Sequence, residues 1–355
     1  MKKTLRIAVF LMAAVMALLL FSCKKDDGET VISYGEISVS EKLFIYELSR
    51  YKTELLANFG VTGTDVPEYW KTVIGTGKDG KEITVDNLHY EECLLNLRTI
   101  VYFANYAKQN GFNVTEEQHK ALDEQMDKIV AQFGSKAKVD VYLEEYGIDY
   151  DLYREYLELC QLYTNGVYLA YSNGGERYIT YDEEYEYYKN NYFTVKHVSV
   201  GTEIAGTDQQ GNYIYFTDEE KKVQQEKITN IRNRIASGED FNEIYLESED
   251  KLFETYPNGY TITKGALTGD KAGYEEVALG LEMGEVAEWE MEGFGHYFIK
   301  RVELIEDDFQ YCREYIYPIL QEQDKMLAIT EKADGFVEAD EIIASYNLGS
   351  VPVMK

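Results

Sequence analysis

The spacing of apolar residues changes twice along this chain, and each change limits what can fold where. From residue 36 to residue 190 hydrophobic side chains return at helical intervals, as at Leu43, Phe44, Leu48 and Tyr51. Near residue 191 the pattern becomes that of a strand: "FTVKHVSVGTE" is rich in β-branched residues. From residue 306 onward it is helical again. The strands are therefore expected between 191 and 305, flanked by helices on either side in sequence. The chain has 355 residues, too many for one ordinary core. The expected architecture is α+β: a helical domain over 36–190, a small α+β domain over 191–305, and a C-terminal helical segment over 306–355. A terminal helix alone is marginal in water, so this last segment is expected to pack on the N-terminal domain.

Local signals place most of the helices. Ser38 with Glu41, Thr115 with Gln118, Thr180 with Glu183 and Thr217 with Glu220 have capping-box spacing. Gly111, Gly134 and Gly238 stand where helices should stop. The middle segment reads as strand, helix, short helix, strand, short helix, strand. Its first helix carries Val223, Ile228, Ile231 and Ile235 on one face, and Ile204–Phe216 reads as a hairpin or loop insertion after the first strand. In the terminal helix Tyr315, Leu320, Met326 and Ile329 are expected in the core.

The N-terminus carries a different kind of signal. "MKKTLR" supplies three cationic residues and "IAVFLMAAVMALLLF" an apolar run shorter than a stable membrane span. "LFSC" follows and resembles the bacterial lipoprotein lipobox, with Leu20 three residues before Cys23 and small Ser22 just before it. The resemblance implies cleavage after residue 22, a lipid on Cys23, a tether over 23–35 and a place on the outer face of a bacterial cell membrane. An ordinary secretory signal with an incidental cysteine is the alternative. Net charge is −29, and loss of the three leader cations brings it near −32. Nucleic acid is not an expected partner, since phosphate binding needs a basic face. Cys93, Cys160 and Cys312 are widely spaced, with no Cys/His pattern for a metal and no paired framework; neither metal nor cofactor is expected. Of the 32 tyrosines, most are read as amphipathic core and surface residues.

Four pieces of the middle segment resemble the parvulin family of peptidyl-prolyl isomerases. They are "VKHVSV" for its first strand, "IRNRIASGEDFNEIYLESED" for its helix and Ser-x-Asp segment, "LGLEMGEV" for its Leu-x-x-Gly-Glu turn, and "GHYFIK" for its closing strand. The flanking "YAKQNGFNVTEEQ" and "ITYDEEYEYYKNNYFTVKHV" resemble the helical segments of SurA- and PrsA-type foldases. The resemblance implies that His197, Asp250 and the second-histidine position form a catalytic network, and that Tyr274 and Leu279 help build a proline pocket. Read from Gly295, the second-histidine position falls on Tyr297, with His296 on the opposite face of the strand unless a bulge near Gly293 and Gly295 restores it. Glu292 stands where the family often has threonine.

These features support an extracytoplasmic foldase, a prolyl isomerase with a helical chaperone part, whose partners are unfolded exported polypeptides. A non-catalytic holdase with a degenerate parvulin domain is the alternative, motivated by Tyr297. A solute-binding lipoprotein is a third reading, opposed by the lack of alternating strand–helix units.

Overall fold

The computed structural model describes residues 27–355 of the chain. The first stretch contains β1 (Thr30–Tyr34), β2 (Ile37–Ser40), α1 (Glu41–Asn58), α2 (Pro67–Trp70), β3 (Val73–Thr76) and β4 (Glu82–Thr84). Then come α3 (Val85–Gln109), α4 (Glu116–Phe133), α5 (Lys136–Glu144), α6 (Tyr150–Tyr171) and α7 (Tyr181–Asn191). The middle holds β5 (Tyr192–Gly201), β6 (Ile204–Thr207), β7 (Tyr213–Tyr215), α8 (Asp218–Ala236), α9 (Phe241–Tyr245), α10 (Leu252–Thr255) and β8 (Tyr260–Thr263). The chain continues through α11 (Ala272–Gly280), β9 (Val286–Met291), β10 (Gly295–Val302), α12 (Glu306–Glu331), β11 (Phe336–Glu338) and α13 (Asp340–Ile343). It divides into two compact units. One joins the residues up to Tyr178 with Glu322–Lys355; the other is Ile179–Gln321.

The first unit is mainly helical, with a small antiparallel sheet ordered β11-β1-β2. Residues 30–34 fall within the expected tether but form β1, because Val31 and Ile32 are fully buried against the helices. Pairing of β2 with β1 also moves the first helix cap. Ser38 lies inside β2, and Ser40 caps α1 by accepting the Leu43 N–H. The Thr115, Thr180 and Thr217 boxes form as their spacing predicts. Helices α3 and α6 approach closely at Gly166, where a Cβ would fall 1.8 Å from the Phe103 carbonyl oxygen. Late residues complete this unit. The fully buried Lys52 ammonium donates to Asp65 and to the Val351 carbonyl, both at 2.9 Å. Arg98 forms a two-pronged pair with Glu338 of β11.

The second unit is built on an antiparallel sheet ordered β8-β5-β10-β9. Its central strand β5 is buried on both faces, and alternation divides its side chains between two cores. Val198 and Val200 pack with Ile228 and Ile231 of α8 and with Phe241 and Ile244 of α9. Phe193 and Val195 pack with Ile299 of β10 and with Tyr274 and Ala278 of α11. Val223, expected on the buried face of α8, is exposed. The unit begins earlier than residue 191 and ends later than residue 305. Tyr188 of α7, Tyr192, and Phe309 and Ile316 of α12 form one cluster, which draws α7 and residues 306–321 into it. The buried stripe of α12 runs through Phe309, Cys312, Ile316 and Leu320. Tyr315, expected in the core, lies about 100° round the helix from Ile316 and is exposed. Met326 is also exposed, whereas Ile329 is buried as expected.

The entry to β8 depends on Gly259, whose φ of +101° and close approach to β5 leave no room for a side chain: a Cβ would sit 2.7 Å from the Val195 carbonyl oxygen. Gly259→Ala should destabilise the second unit by about 1–3 kcal/mol. Gly280→Ala, at the end of α11 with nothing within 4 Å of the added carbon, should change little. Urea midpoints of the two variants give the comparison.

Candidate functional site

Residues 197–201 of β5 hold the short segment that follows α9. Ser199 takes the Asp250 N–H on its hydroxyl at 3.2 Å and the Glu249 N–H on its carbonyl at 3.0 Å. In return, the Ser199 N–H donates to the Ser248 hydroxyl at 2.9 Å. Asp250 is thus fixed beside His197. One of its carboxylate oxygens accepts from the Ser248 hydroxyl at 2.8 Å and the Leu252 N–H at 3.1 Å. The other accepts from Nε2 of His197. Lys251, the one non-glycine residue with positive φ among those described, follows Asp250 directly.

With Nε2 donating to Asp250, the Nδ1 atom of a neutral His197 ring is an acceptor. Two phenols meet it, Tyr274 at 2.7 Å and Tyr260 at 2.6 Å, and they lie 2.6 Å from each other. One phenol donates to Nδ1 and the other donates to the first, closing a small hydroxyl relay. Tyr297 adds a third wall, its ring edge-on to the imidazole with centroids 5.2 Å apart. His197 is 5% exposed. Both of its nitrogens are committed, so it is a fixed polar floor and not a free nucleophile.

Above this floor lies a cavity of about 290 Å³, lined by His197, Asp250, Tyr260, Ile262, Leu267, Lys271, Tyr274, Trp289, Met291 and Tyr297. Its lining comes from β5, β8, α11, β9 and β10, from Asp250 after α9, and from the loop between β8 and α11. The loop is held by the buried Glu275 carboxylate, which accepts the Leu267 N–H at 3.0 Å and also the Gly265 N–H. Trp289 closes one side against Tyr274 and Tyr297, with ring centroids 5.5 and 5.3 Å away. The cavity is small, mostly apolar and open on one side, a shape that takes one compact apolar group with a few polar atoms at its base.

Electrostatics sharpen the floor. Burial works against ionisation of Asp250. The hydrogen bond from His197, with those from the Leu252 amide and Ser248 hydroxyl, outweighs it and holds the pKa down to about 2. Burial pushes the Tyr260 and Tyr274 phenols well up, with help from the Asp250 charge, so both remain protonated donors. Burial and the same charge raise Tyr297. Among the described residues no hydrogen bond uses its hydroxyl.

Four residues expected at the site from sequence are brought together: His197, Asp250, Tyr274 and Tyr297. Leu279 is not. It points away from the cavity and is 39% exposed, because Tyr274 and Ala278 form the buried face of α11 and Leu279 lies one residue past it. Cys23 lies outside the described residues. The register of β10 decides between the two neighbouring candidates on that strand. It pairs residue for residue with β5 from Gly295 to Val302 and with β9 from Gly295 to Lys300, with no bulge. Tyr297 opposes Ser199 on the cavity face, while His296 opposes Val200 on the other face and bonds Glu288 at 2.8 Å. Sequence reasoning missed Tyr260, Ile262, Trp289 and Met291. Alternation along "YTIT" and "AEWEM" puts each pair on one face, which was the available signal.

No protein-family model and no curated protein matches the chain. Solved structures do. Peptidylprolyl isomerase PrsA from Bacillus cereus matches at 16% identity, with 78% of this chain and 92% of that chain covered and a TM-score of 0.28. PrsA from Bacillus subtilis matches at 15% identity over 74% and 93%, with a TM-score of 0.25. The foldase protein PrsA from Lactococcus lactis matches at 13% identity over 92% and 100%, with a TM-score of 0.27. Likeness at that level leaves the chemistry to be read from the site's own geometry.

A carboxylate whose folded pKa lies below its unfolded value stabilises the fold above the unfolded pKa, about 3.9. That stability is lost as pH falls through the folded value. Asp250 should therefore contribute about 2 kcal/mol at pH 5 that is gone near pH 2. Denaturant midpoints of Asp250→Asn and the parent at these two pH values check this. The gap between the two proteins should close at the acid end.

Proposed function

We propose that this chain is a membrane-tethered extracytoplasmic foldase, combining a peptidyl-prolyl cis-trans isomerase of the parvulin type with a helical chaperone unit. The observation that carries the reading is the hydrogen-bonded His197 floor beneath a cavity sized for one compact apolar group. A prolyl ring is such a group. Rotation about its amide meets a barrier of ~18–20 kcal/mol, and no bond need be made or broken to pass it. The apolar walls strip water from the prolyl amide, and a twisted amide, having lost its resonance, has less charge on its oxygen and more on its nitrogen. A site that fits the twisted form better than either planar form lowers the barrier. Tyr297 is placed to donate to the turning peptide, while Asp250, Tyr260 and Tyr274 fix the imidazole that shapes the floor. His197, Asp250 and Tyr297 are the residues assigned to the isomerase step, and Tyr274 to the proline pocket.

Clients in this reading are unfolded or partly folded exported polypeptides. The strongly acidic chain keeps such complexes soluble and favours basic segments in the client. Cys23 carries the lipid that holds the protein to the membrane. Among the described residues no helix is long and apolar enough to cross a membrane.

A second reading keeps the binding and drops the turnover: a holdase whose pocket grips prolyl segments without accelerating them. Tyr297, a phenol where the parvulin pattern has a second imidazole, favours it.

A protease-coupled prolyl-peptide assay on the chain lacking residues 1–22 separates the two. Isomerisation should exceed the uncatalysed rate, and His197→Ala should lower kcat/KM about a hundredfold, the scale for losing a positioned polar group. A parent rate no higher than that of His197→Ala leaves the holdase. For the anchor, Cys23→Ser expressed from the full-length gene should move the protein from the membrane pellet to the soluble fraction of a bacterial host. Unchanged pelleting would remove Cys23 from the account.

A further inference from the structure

The hairpin between β5 and α8 contributes no residue to the cavity lining, yet it carries a cluster of exposed aromatic residues. Tyr213, Ile214 and Tyr215 of β7 are 52%, 50% and 62% exposed, and Phe294 in the β9–β10 turn is 40% exposed. The rings form one group: Tyr213 lies 5.9 Å from Phe294 and 6.5 Å from Tyr215. Large apolar side chains seldom gather on a surface without a partner. Here the scaffold that presents them is firmly tied. The Phe216 N–H donates to the Glu203 carbonyl at 2.9 Å, and the Thr202 N–H donates to the Phe294 carbonyl at 3.1 Å. Asp208 caps the hairpin tip by accepting from Gln210 and Asn212 amides.

The cluster is continuous with the cavity. Met291 lines the cavity, pairs with Gly295 and is followed directly by the turn that bears Phe294. On the other strand, Ser199 and Gly201 continue the cavity face of β5 beyond His197, and a Cβ at Gly201 would come within 3.1 Å of the Phe216 ring. The hairpin therefore rises from the same sheet face as the floor, at the end where β5 and β10 leave the cavity. Its charge is nearly neutral in a strongly acidic protein, since Asp208 is the one charged residue between Ile204 and Phe216. A polypeptide seated by its proline in the cavity and extended along this end of the sheet passes over these rings.

We infer that the β6–β7 hairpin and Phe294 form a second subsite, which takes aromatic or large aliphatic residues of the client flanking the proline held in the cavity. The inference rests on the reading of the cavity as a peptide site. It makes the protein selective for prolines embedded in apolar sequence, the kind exposed in an unfolded chain and hidden in a folded one. The occupant is the same polypeptide that enters the cavity and not a separate partner.

The test uses binding, read by fluorescence anisotropy, so that it does not depend on turnover. Two labelled peptides are compared on the chain lacking residues 1–22: a short prolyl peptide flanked by alanine, and the same peptide with aromatic residues placed on both sides. The parent should bind the aromatic peptide about tenfold more tightly. The triple variant Tyr213→Ser, Tyr215→Ser, Phe294→Ser should lose that gain while binding the alanine peptide as before. Tyr213→Phe with Tyr215→Phe, which keeps the rings, should retain it. Equal affinity of parent and triple variant for the aromatic peptide overturns the subsite. Failure of the parent to accelerate either peptide in the protease-coupled assay overturns isomerisation alone, because the affinity difference read by anisotropy still reports on the rings. Binding of neither peptide overturns both.

Discussion

One buried imidazole organises the second unit. His197 sits on the central strand of the sheet, takes a carboxylate on one nitrogen and a pair of phenols on the other, and is enclosed by rings on three sides. A polar ring at that depth is stable only with both nitrogens satisfied. The requirement reaches outward through the structure. Asp250 must be held by Ser248 and the Leu252 amide, Ser248 and Ser199 must clasp the turn to β5, and Tyr260 of a strand and Tyr274 of a helix must converge on the same ring nitrogen. The site is in this sense a by-product of satisfying one residue, and its rigidity follows from the number of bonds that would fail together.

Much of this arrangement was legible in the sequence because two signals agreed. Strand alternation said that residues 197 and 198 face opposite ways, and the "ESED" segment, after a hairpin and two helices, supplied a carboxylate. The division of β5 between two cores follows from the same alternation. On β10 the reading from Gly295 chose Tyr297 over its neighbour His296, and only a bulge near Gly293 and Gly295 would have reversed that choice. An unbroken register over eight residues settles it for Tyr297. Leu279 was misplaced. On a short helix of nine residues, a single position separates the buried face from the exposed one.

The domain edges were less legible. Helical periodicity does not reveal which neighbour a helix will bury its face against, so α7 read as part of the N-terminal domain by pattern alone. The tyrosine and phenylalanine cluster around Tyr188 and Phe309 decides otherwise, and it contains residues more than a hundred positions apart. Likewise β1 looked like tether because it is short and follows a polar run; its burial depends on β11, some three hundred residues later. Long-range pairings of this kind leave little trace in local composition.

That last dependence has a consequence for biogenesis. A ribosome delivers β1, α1 and α3 early, but the strand that flanks β1, the carbonyl that receives Lys52 and the carboxylate that clamps Arg98 all emerge at the very end. The four-stranded sheet of the unit in between is complete at Val302, ahead of β11. Synthesis order therefore favours closure of the middle first, while the opening segment waits as a partly assembled helical body until translation finishes. A protein proposed as an aid to exported chains thus sets itself the same problem of holding half-made structure.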